Sequence, residues 1–386
     1  MPGVSFSDNG GMTSASHSSD SAEPFEGLRI RGVAKTFGTD TTVLNEIDLD
    51  VHPGELISLV GSSGTGKSTL LRIIAGLEEP SAGRVTYAGQ PLERGSVGVV
   101  FQHPILYPHL SVKDNILFPT RLGAFAGRVD MDYYRELLEA LKLEGLESRK
   151  PSQLSGGQAQ RVGIARALIR RAPVVLFDEP LASVDEEMSA SIRADIVRLH
   201  ERYGFTGLYV THDQNEALML GQRVAVMDAG YLVQVDTPEH LLAHPHTLQV
   251  AKLMVAPALN LVALEDSAVL PAGCQLAIRA TALCPVAADA AHSLPVQVLG
   301  SRHLVGGMLY RARLLEAVSL PLESRRASAD SEPSDRVYAR VRAGQELEFF
   351  IPDAQSGSSL NVGDRVHLGV AAERCFVFSN GKRFYL

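Results

Sequence analysis

Basic residues are in short supply: 36 Lys and Arg stand against 44 Asp and Glu, a formal charge of -8 at pH 7. That balance argues against a broad nucleic-acid-binding face, which needs clustered Lys and Arg to neutralise phosphates. Cysteine is scarcer still. Cys274, Cys284 and Cys375 are widely separated and show no CxxC spacing, so buried, reduced thiols are expected rather than metal ligands or disulfides. No run approaches the ~20 apolar residues that a membrane-crossing helix needs. The nearest, Leu248 to Leu264, is broken by Gln249, Lys252 and Asn260. The opening MPGVSFSDNG lacks the basic start and apolar stretch of a secretory leader, which makes the cytosol the expected compartment.

What is present is ordinary globular material, 45% apolar and 21% charged. A length of 386 residues exceeds one domain of roughly 100 to 200 residues, so two domains are expected. Residues 1–27 are rich in Ser and Gly and carry Asp8, Asp20, Glu23 and Glu26 without any Lys or Arg. Such a segment cannot bury enough apolar surface to fold and is expected to be a disordered tail. From about Leu28 to Leu242 short apolar strands, such as Leu56 to Val60, Val174 to Phe177 and Gly207 to Val210, alternate with helical patterns. That alternation predicts an α/β domain on a largely parallel sheet. Between Gln102 and Arg171 the pattern turns helical, with Leu137, Leu138, Leu141 and Leu143 near a 3.6 period. After about His246 it alternates as strands do, with Val337, Ala339 and Val341 opposite Arg336, Tyr338, Arg340 and Arg342, and again at Val366, Leu368 and Val370. Gly300, Gly306 and Gly307 are placed where a barrel would bend, and Ser324 to Ser334 reads as a polar loop. A small all-β barrel is expected for this last third, giving a division at 28–245 and 246–386.

Three motifs carry chemistry. The first is GSSGTGKS, comprising Gly61, Ser62, Ser63, Gly64, Thr65, Gly66, Lys67 and Ser68, between the strand Leu56 to Val60 and a helical run from Thr69 to Ala75. This is a P-loop in its expected context: backbone N–H groups converge on phosphates at a helix N-terminus, Lys67 neutralises β and γ phosphates, and the Ser68 hydroxyl suits Mg²⁺. The second is VVLFDEP, residues 174–180, an apolar strand that ends in two carboxylates. An adjacent Asp and Glu is common on solvated turns, but a buried strand delivers these to the edge of a phosphate site, Asp178 as a Mg²⁺ ligand and Glu179 as general base. The third is LSGGQ, in which Ser155, Gly156, Gly157 and Gln158 open a helix whose first N–H groups form an anion site.

In that order, the three motifs resemble the nucleotide-binding domain of ABC transporters. The resemblance implies an α/β P-loop NTPase core with a helical subdomain at about 103–171, ATP and Mg²⁺ as ligands, and further site residues. Gln102 in VVFQHP matches the Q-loop glutamine, which senses Mg²⁺ and water and faces the membrane subunits. Asp185 in LASVD matches the D-loop aspartate, His212 in VTHD the switch histidine at the γ-phosphate, and Phe37 in KTFG the aromatic that stacks on adenine. Taken singly, Gln102, Asp185 and His212 are ordinary loop residues, and Phe37 reads equally as core. In the family the LSGGQ of one subunit closes over ATP on the other. A homodimer is therefore implied, together with two transmembrane permease subunits, an extracytoplasmic solute-binding protein and a peripheral place on the cytoplasmic face of the cell membrane.

The stretch from DQNEALML through DTPEHLLAHP to APALNL is similar to importer ATPases for maltose and related solutes, which end in an OB-like TOBE barrel. YPHLSVKDNILFP, APALN and FVFSNGKR resemble the carbohydrate and glycerol-phosphate branch, with polyamine, inorganic-anion and ferric-iron importers as alternatives. Arg279, Ala280 and Thr281 depart from the family's usual Arg-Pro-Glu, LASVD departs from its usual loop, and Ala159 follows LSGGQ where a polar residue is common. A soluble ABC ATPase acting on nucleic acid would need coiled coils or zinc CxxC pairs, and neither is written here. An ATPase-dead regulatory protein is disfavoured by Glu179 and His212.

Overall fold

The computed structural model describes residues 25–122, 129–255, 257–265, 270–271, 273–322, 337–353, 360–371 and 375–384. The expected tail up to residue 24 and the expected polar loop at 324–334 lie outside them. At the N-terminal boundary, packing begins earlier than anticipated: the Phe25 ring meets His52 edge-on and lies under the Arg29 guanidinium at 4.7 Å.

The first domain is centred on strands that are mostly apolar and buried along nearly their whole length. β3 (Leu56–Val60) has no exposed position, as expected of a strand covered on both faces. Its neighbours β8 (Thr206–Thr211) and β9 (Arg223–Asp228) run parallel to it, and β7 (Val174–Asp178) and β6 (Gly98–Val100) extend the same sheet beyond β8. β10 (Tyr231–Asp236) adds an antiparallel edge. The strand order β10-β9-β3-β8-β7-β6 places the C-terminal ends of β3, β7 and β8 side by side, where an open parallel sheet presents its ligand crevice.

A second sheet went unread in the sequence. β1 (Leu28–Phe37) and β2 (Thr41–Val51) form a bulged hairpin, with β4 (Ala82–Tyr87) and β5 (Gln90–Pro91) beside it, all antiparallel. Its alternating faces put Leu28, Ile30, Leu44, Ile47 and Leu49 onto Leu70, Leu71 and Ile74 of α1 (Lys67–Ile74). The core is thus a parallel sheet and an antiparallel sheet with α1 between them, rather than one largely parallel sheet.

Helices α2 (Val112–Leu117), α3 (Met131–Ala140) and α4 (Gly156–Leu168) fall in the expected insertion. Leu137 and Leu138 are on α3, but the helix stops at Ala140. Leu141 and Leu143 are still fully buried, from the turn that follows, and share a cluster with Phe177 and Tyr209. The period was a burial signal that outran the helix. α5 (Glu186–Tyr203) and α6 (Gln214–Leu220) complete the domain, and α7 (Pro238–Ala243) follows β10.

The first element after His246 is a helix, α8 (Leu248–Leu253), and strands begin only at Leu259. α8 faces two ways: Val250 packs with Val60, Val224 and Val226 of the first domain, and Ala251 with Ala277, Phe376 and Phe378 of the second. The second domain is otherwise all β, as expected, with a four-stranded, a five-stranded and a two-stranded sheet around one core that includes Leu276, Ile278, Val296, Tyr310, Phe349 and Leu368. Ala339 and Val341 point into it while Tyr338 is exposed, the predicted alternation. Gly306 turns a hairpin at φ 83° and Gly300 sits at a bulge.

Arg279 joins the domains by donating to the Leu242 carbonyl at the end of α7 and stacking on Phe376, while Arg383 donates to Ala243. That contact gives the arginine of the departing Arg279-Ala280-Thr281 run a structural use. Cysteine burial was overestimated: Cys274 is buried, Cys375 half-buried and Cys284 exposed, because Cys284 sits on an outward position of a two-faced strand. Among the described residues no helix is long and apolar enough to cross a membrane.

Candidate functional site

The loop leaving β3 is shaped by close contacts that admit no side chain. A Cβ on Gly61 would stand 2.5 Å from the Met227 carbonyl oxygen. Gly66, the N-cap of α1, has φ 99°, and a Cβ there would meet Leu44 at 2.6 Å and the Val43 carbonyl at 2.9 Å. Both positions need glycine, one for space and one also for its left-handed backbone. Thr65 ties the loop by donating its hydroxyl to the Ser62 carbonyl at 3.0 Å. Lys67 is buried and folds back, its ammonium donating to the carbonyls of Gly61 at 2.7 Å and Ser62 at 3.0 Å. Burial pulls its pKa below the usual lysine value, while the nearby Glu179 and Asp178 carboxylates pull the other way. Ser63 and Gly64 are exposed at the loop tip, and Thr69 lies half-buried in the first turn of α1.

β7 delivers the two carboxylates to this loop. Asp178 accepts a hydrogen bond from the Ser68 hydroxyl at 3.2 Å, and burial raises its pKa against that bond. Two oxygen donors, one a desolvated carboxylate, make a set that suits a hard divalent cation such as Mg²⁺. Glu179 is strained: its φ is 45°, in the left-handed region, although proline follows it. Such a conformation costs on the order of 1–3 kcal/mol in a non-glycine residue, and strain of this kind clusters at working sites. The Glu179 N–H donates to Val210 of β8 at 3.0 Å, locking the turn to the strand that carries His212. With the proton on Nδ1, His212 donates to the Glu179 carboxylate at 3.0 Å.

The structure therefore brings together Lys67, Ser68, Asp178, Glu179 and His212, which are spread over 146 positions of sequence. Gln102 is exposed just past β6, and its loop is braced by Gln160 of α4, which donates to the Phe101 carbonyl at 3.1 Å. Asp185 caps α5 through the Met188 N–H at 2.9 Å. Phe37 is 42% exposed, under the Lys35 ammonium, so it is not core. Ser155 and Gln158 form a reciprocal capping box at the start of α4. Among the described residues no hydrogen bond or ion pair joins Ser155–Gln158 to Gly61–Ser68. The two glycines between them differ. A Cβ on Gly157 would strike Met188 of α5 at 2.6 Å, whereas one on Gly156 meets nothing within 4 Å.

Three supporting residues were missed in the sequence. Asn115 is fully buried and binds the backbone of Tyr107, Leu110 and Ser111, fixing the loop after Gln102. His103 is within 3.2 Å of the Ser183 hydroxyl in the LASVD loop. Glu216 is a buried carboxylate behind His212. A buried Asn or Glu in a helical segment is a signal, but burial itself is visible only in the fold.

A family model described as ABC transporter matches residues 44–182. The sn-glycerol-3-phosphate import ATP-binding protein UgpC 1 of Rhizobium johnstonii is 45% identical over 241 residues, 61% of this chain and 65% of that protein. The sn-glycerol-3-phosphate import ATP-binding protein UgpC of Yersinia pestis is 42% identical over 252 residues, 64% of this chain and 70% of that protein. The chain thus spans about two thirds of the length of these relatives. Among solved structures, cbiO1 from Clostridium perfringens, part of the ABC transporter complex cbiONQ, superposes with a TM-score of 0.51 at 27% identity, over 57% of this chain and 92% of that one.

Proposed function

The chain belongs to the ABC transporter family of ATP-binding proteins, and from that premise we propose that it is the ATP-hydrolysing subunit of a binding-protein-dependent importer. The observation that supports this best is the chain of contacts from Ser68 to Asp178 and from the adjacent Glu179 to His212, with the Lys67 ammonium near enough to feel both carboxylates. ATP is the substrate. The N–H groups of residues 61–69 and the Lys67 ammonium bind its phosphates, and Phe37 stacks on adenine. Ser68, Asp178 and Gln102 hold Mg²⁺, which when bound neutralises charge on the phosphate oxygens. Glu179 takes a proton from the attacking water and His212 orients that carboxylate from the γ-phosphate side. Two copies face each other, so that Ser155, Gly156, Gly157, Gln158 and Asp185 act on the ATP of the opposite copy. The open space around Gly156 supports that reading, since nothing in its own chain requires a glycine there.

The permease subunits seat on the face beside Gln102. A cavity of about 320 Å³ there is lined by apolar Leu77, Phe101 and Pro119 together with Arg94, Arg166 and Arg170, a mix of apolar and cationic groups that suits an amphipathic helix bearing acids. In this reading the protein sits peripherally on the cytoplasmic face of the membrane. The relatives' glycerol-phosphate names support a polyol-phosphate or carbohydrate solute, delivered by an extracytoplasmic binding protein. The unit from 246 onward, all β after α8, acts as the regulatory, TOBE-like domain, and the unit from 28 to 245 as the nucleotide-binding domain.

Capture of the tagged full chain from detergent-solubilised membranes of its own cells tests this directly. Two integral-membrane permeases are expected, encoded or captured with a binding protein for a sugar or polyol phosphate. A binding protein for a polyamine, an anion or ferric iron would contradict the solute reading, and recovery of no integral-membrane chain would contradict the importer itself.

A further inference from the structure

Glu216, one helical turn past His212 on α6, is a buried carboxylate with three partners. Oε2 accepts from the Tyr209 hydroxyl at 3.1 Å and the Thr211 hydroxyl at 2.8 Å, and Oε1 pairs with the Arg193 guanidinium at 3.5 Å. Tyr209 and Thr211 belong to β8, the strand that ends just before His212. Thr211 accepts in turn from the Asp213 N–H at 3.0 Å, and the Asp213 carboxylate caps α6 through the N–H groups of Asn215 and Glu216. His212 is therefore held from both sides, Thr211 by a direct bond to the buried carboxylate and Asp213 through the Thr211 hydroxyl and the Glu216 backbone N–H. Arg193 carries the clamp further: its other terminal nitrogen pairs at 3.1 Å with Glu186, the residue after Asp185.

A carboxylate removed from water is tolerated only when its lone pairs and charge are met. Here the three partners come from the strand before His212 and from the helix after Asp185. Among the described residues no hydrogen bond or ion pair links Glu216 or Arg193 to Lys67, Ser68 or Asp178, so the cluster does not touch the reacting atoms. Resting on the function proposed above, we infer that Glu216 is a positioning residue. It holds the His212 loop so that the imidazole reaches Glu179, and through Arg193 it ties that loop to the Asp185 loop, so that the two move as a unit when paired copies close on ATP.

Glu216→Gln preserves shape but cannot neutralise Arg193 and brings two N–H donors among the hydroxyls. In the full chain, kcat for ATP is expected to fall about ten- to a hundredfold with KM within about twofold, as a small misplacement of a catalytic group would do. In a His212→Ala background the same substitution should cost nothing further, because the group it positions is gone. Should Glu216→Gln fold poorly, Thr211→Val removes one arm of the clamp with little change in volume and is expected to show the same kcat-only loss. An unchanged kcat in either folded variant, or an equal fold-loss with and without His212, would overturn the inference while leaving the hydrolytic reading intact. Wild-type turnover in His212→Ala alone would overturn that parent reading, and this inference with it.

Discussion

Glu179→Gln is expected to bind ATP with near wild-type affinity and to hydrolyse it at least about a hundredfold more slowly, the lower range for loss of a positioned general base. The carboxamide keeps the shape that the strained turn at φ 45° presents, and it leaves Lys67, Ser68 and the loop of β3 untouched. It cannot take a proton from water. In the proposed cycle binding drives closure of two copies and hydrolysis reopens them, so the variant should accumulate as an ATP-bound dimer. Steady-state turnover and light scattering after size exclusion, with ATP and with ADP, read both effects. A variant that turns over normally, or that stays monomeric with ATP, would remove Glu179 from the role of base.

Lys67→Ala acts one step earlier. The ammonium is buried against the Gly61 and Ser62 carbonyls at 2.7 and 3.0 Å, poised where phosphate oxygens can replace those carbonyls. A charge-assisted hydrogen bond contributes roughly 1.5–3 kcal/mol, so ATP affinity should fall about ten- to a hundredfold, measured by titration with a fluorescent ATP analogue. The charge also sets a pH dependence. Because burial lowers the Lys67 pKa, the ammonium is lost as pH rises through a value below that of an ordinary lysine. Wild-type ATP affinity should therefore weaken on the alkaline side, and Lys67→Ala should flatten that limb. Equal affinities across the pH range for both proteins would contradict the assignment.

These two residues were legible because their signals are contiguous. A glycine-rich turn between a buried strand and a helix, and an apolar strand ending in two acids, are each written within ten residues, and both were found where expected. The α/β core, the helical insertion and the all-β last third were legible for the same reason, each having its own period. What could not be read depends on contacts between distant segments. The 3.0 Å approach of His212 to Glu179 spans 33 positions, and the Glu216–Arg193 pair spans 23. The antiparallel sheet of β1, β2, β4 and β5 was missed because β1 is bulged at three places, which breaks the period of two. The turn leucines Leu141 and Leu143 misled in the opposite direction, since burial continued after the helix had ended. α8 hid because its apolar residues serve two cores at once.

The central claim is that each hydrolytic site is shared between two copies of the chain, the P-loop from one and the LSGGQ helix from the other. Gly156→Leu is the suitable lesion for the helix, because a Cβ there meets nothing within 4 Å in its own chain and the substitution leaves the close approach of Met188 to Gly157 alone. Lys67→Ala is the lesion for the loop. Each variant alone should be nearly inactive as an ATPase. Mixed under conditions that exchange subunits, they form heterodimers in which one site retains both an intact loop and an intact helix, and ATP hydrolysis should return. If the helix served the loop of its own chain, no intact pairing would exist in the mixture, and activity would stay at the level of the separate variants.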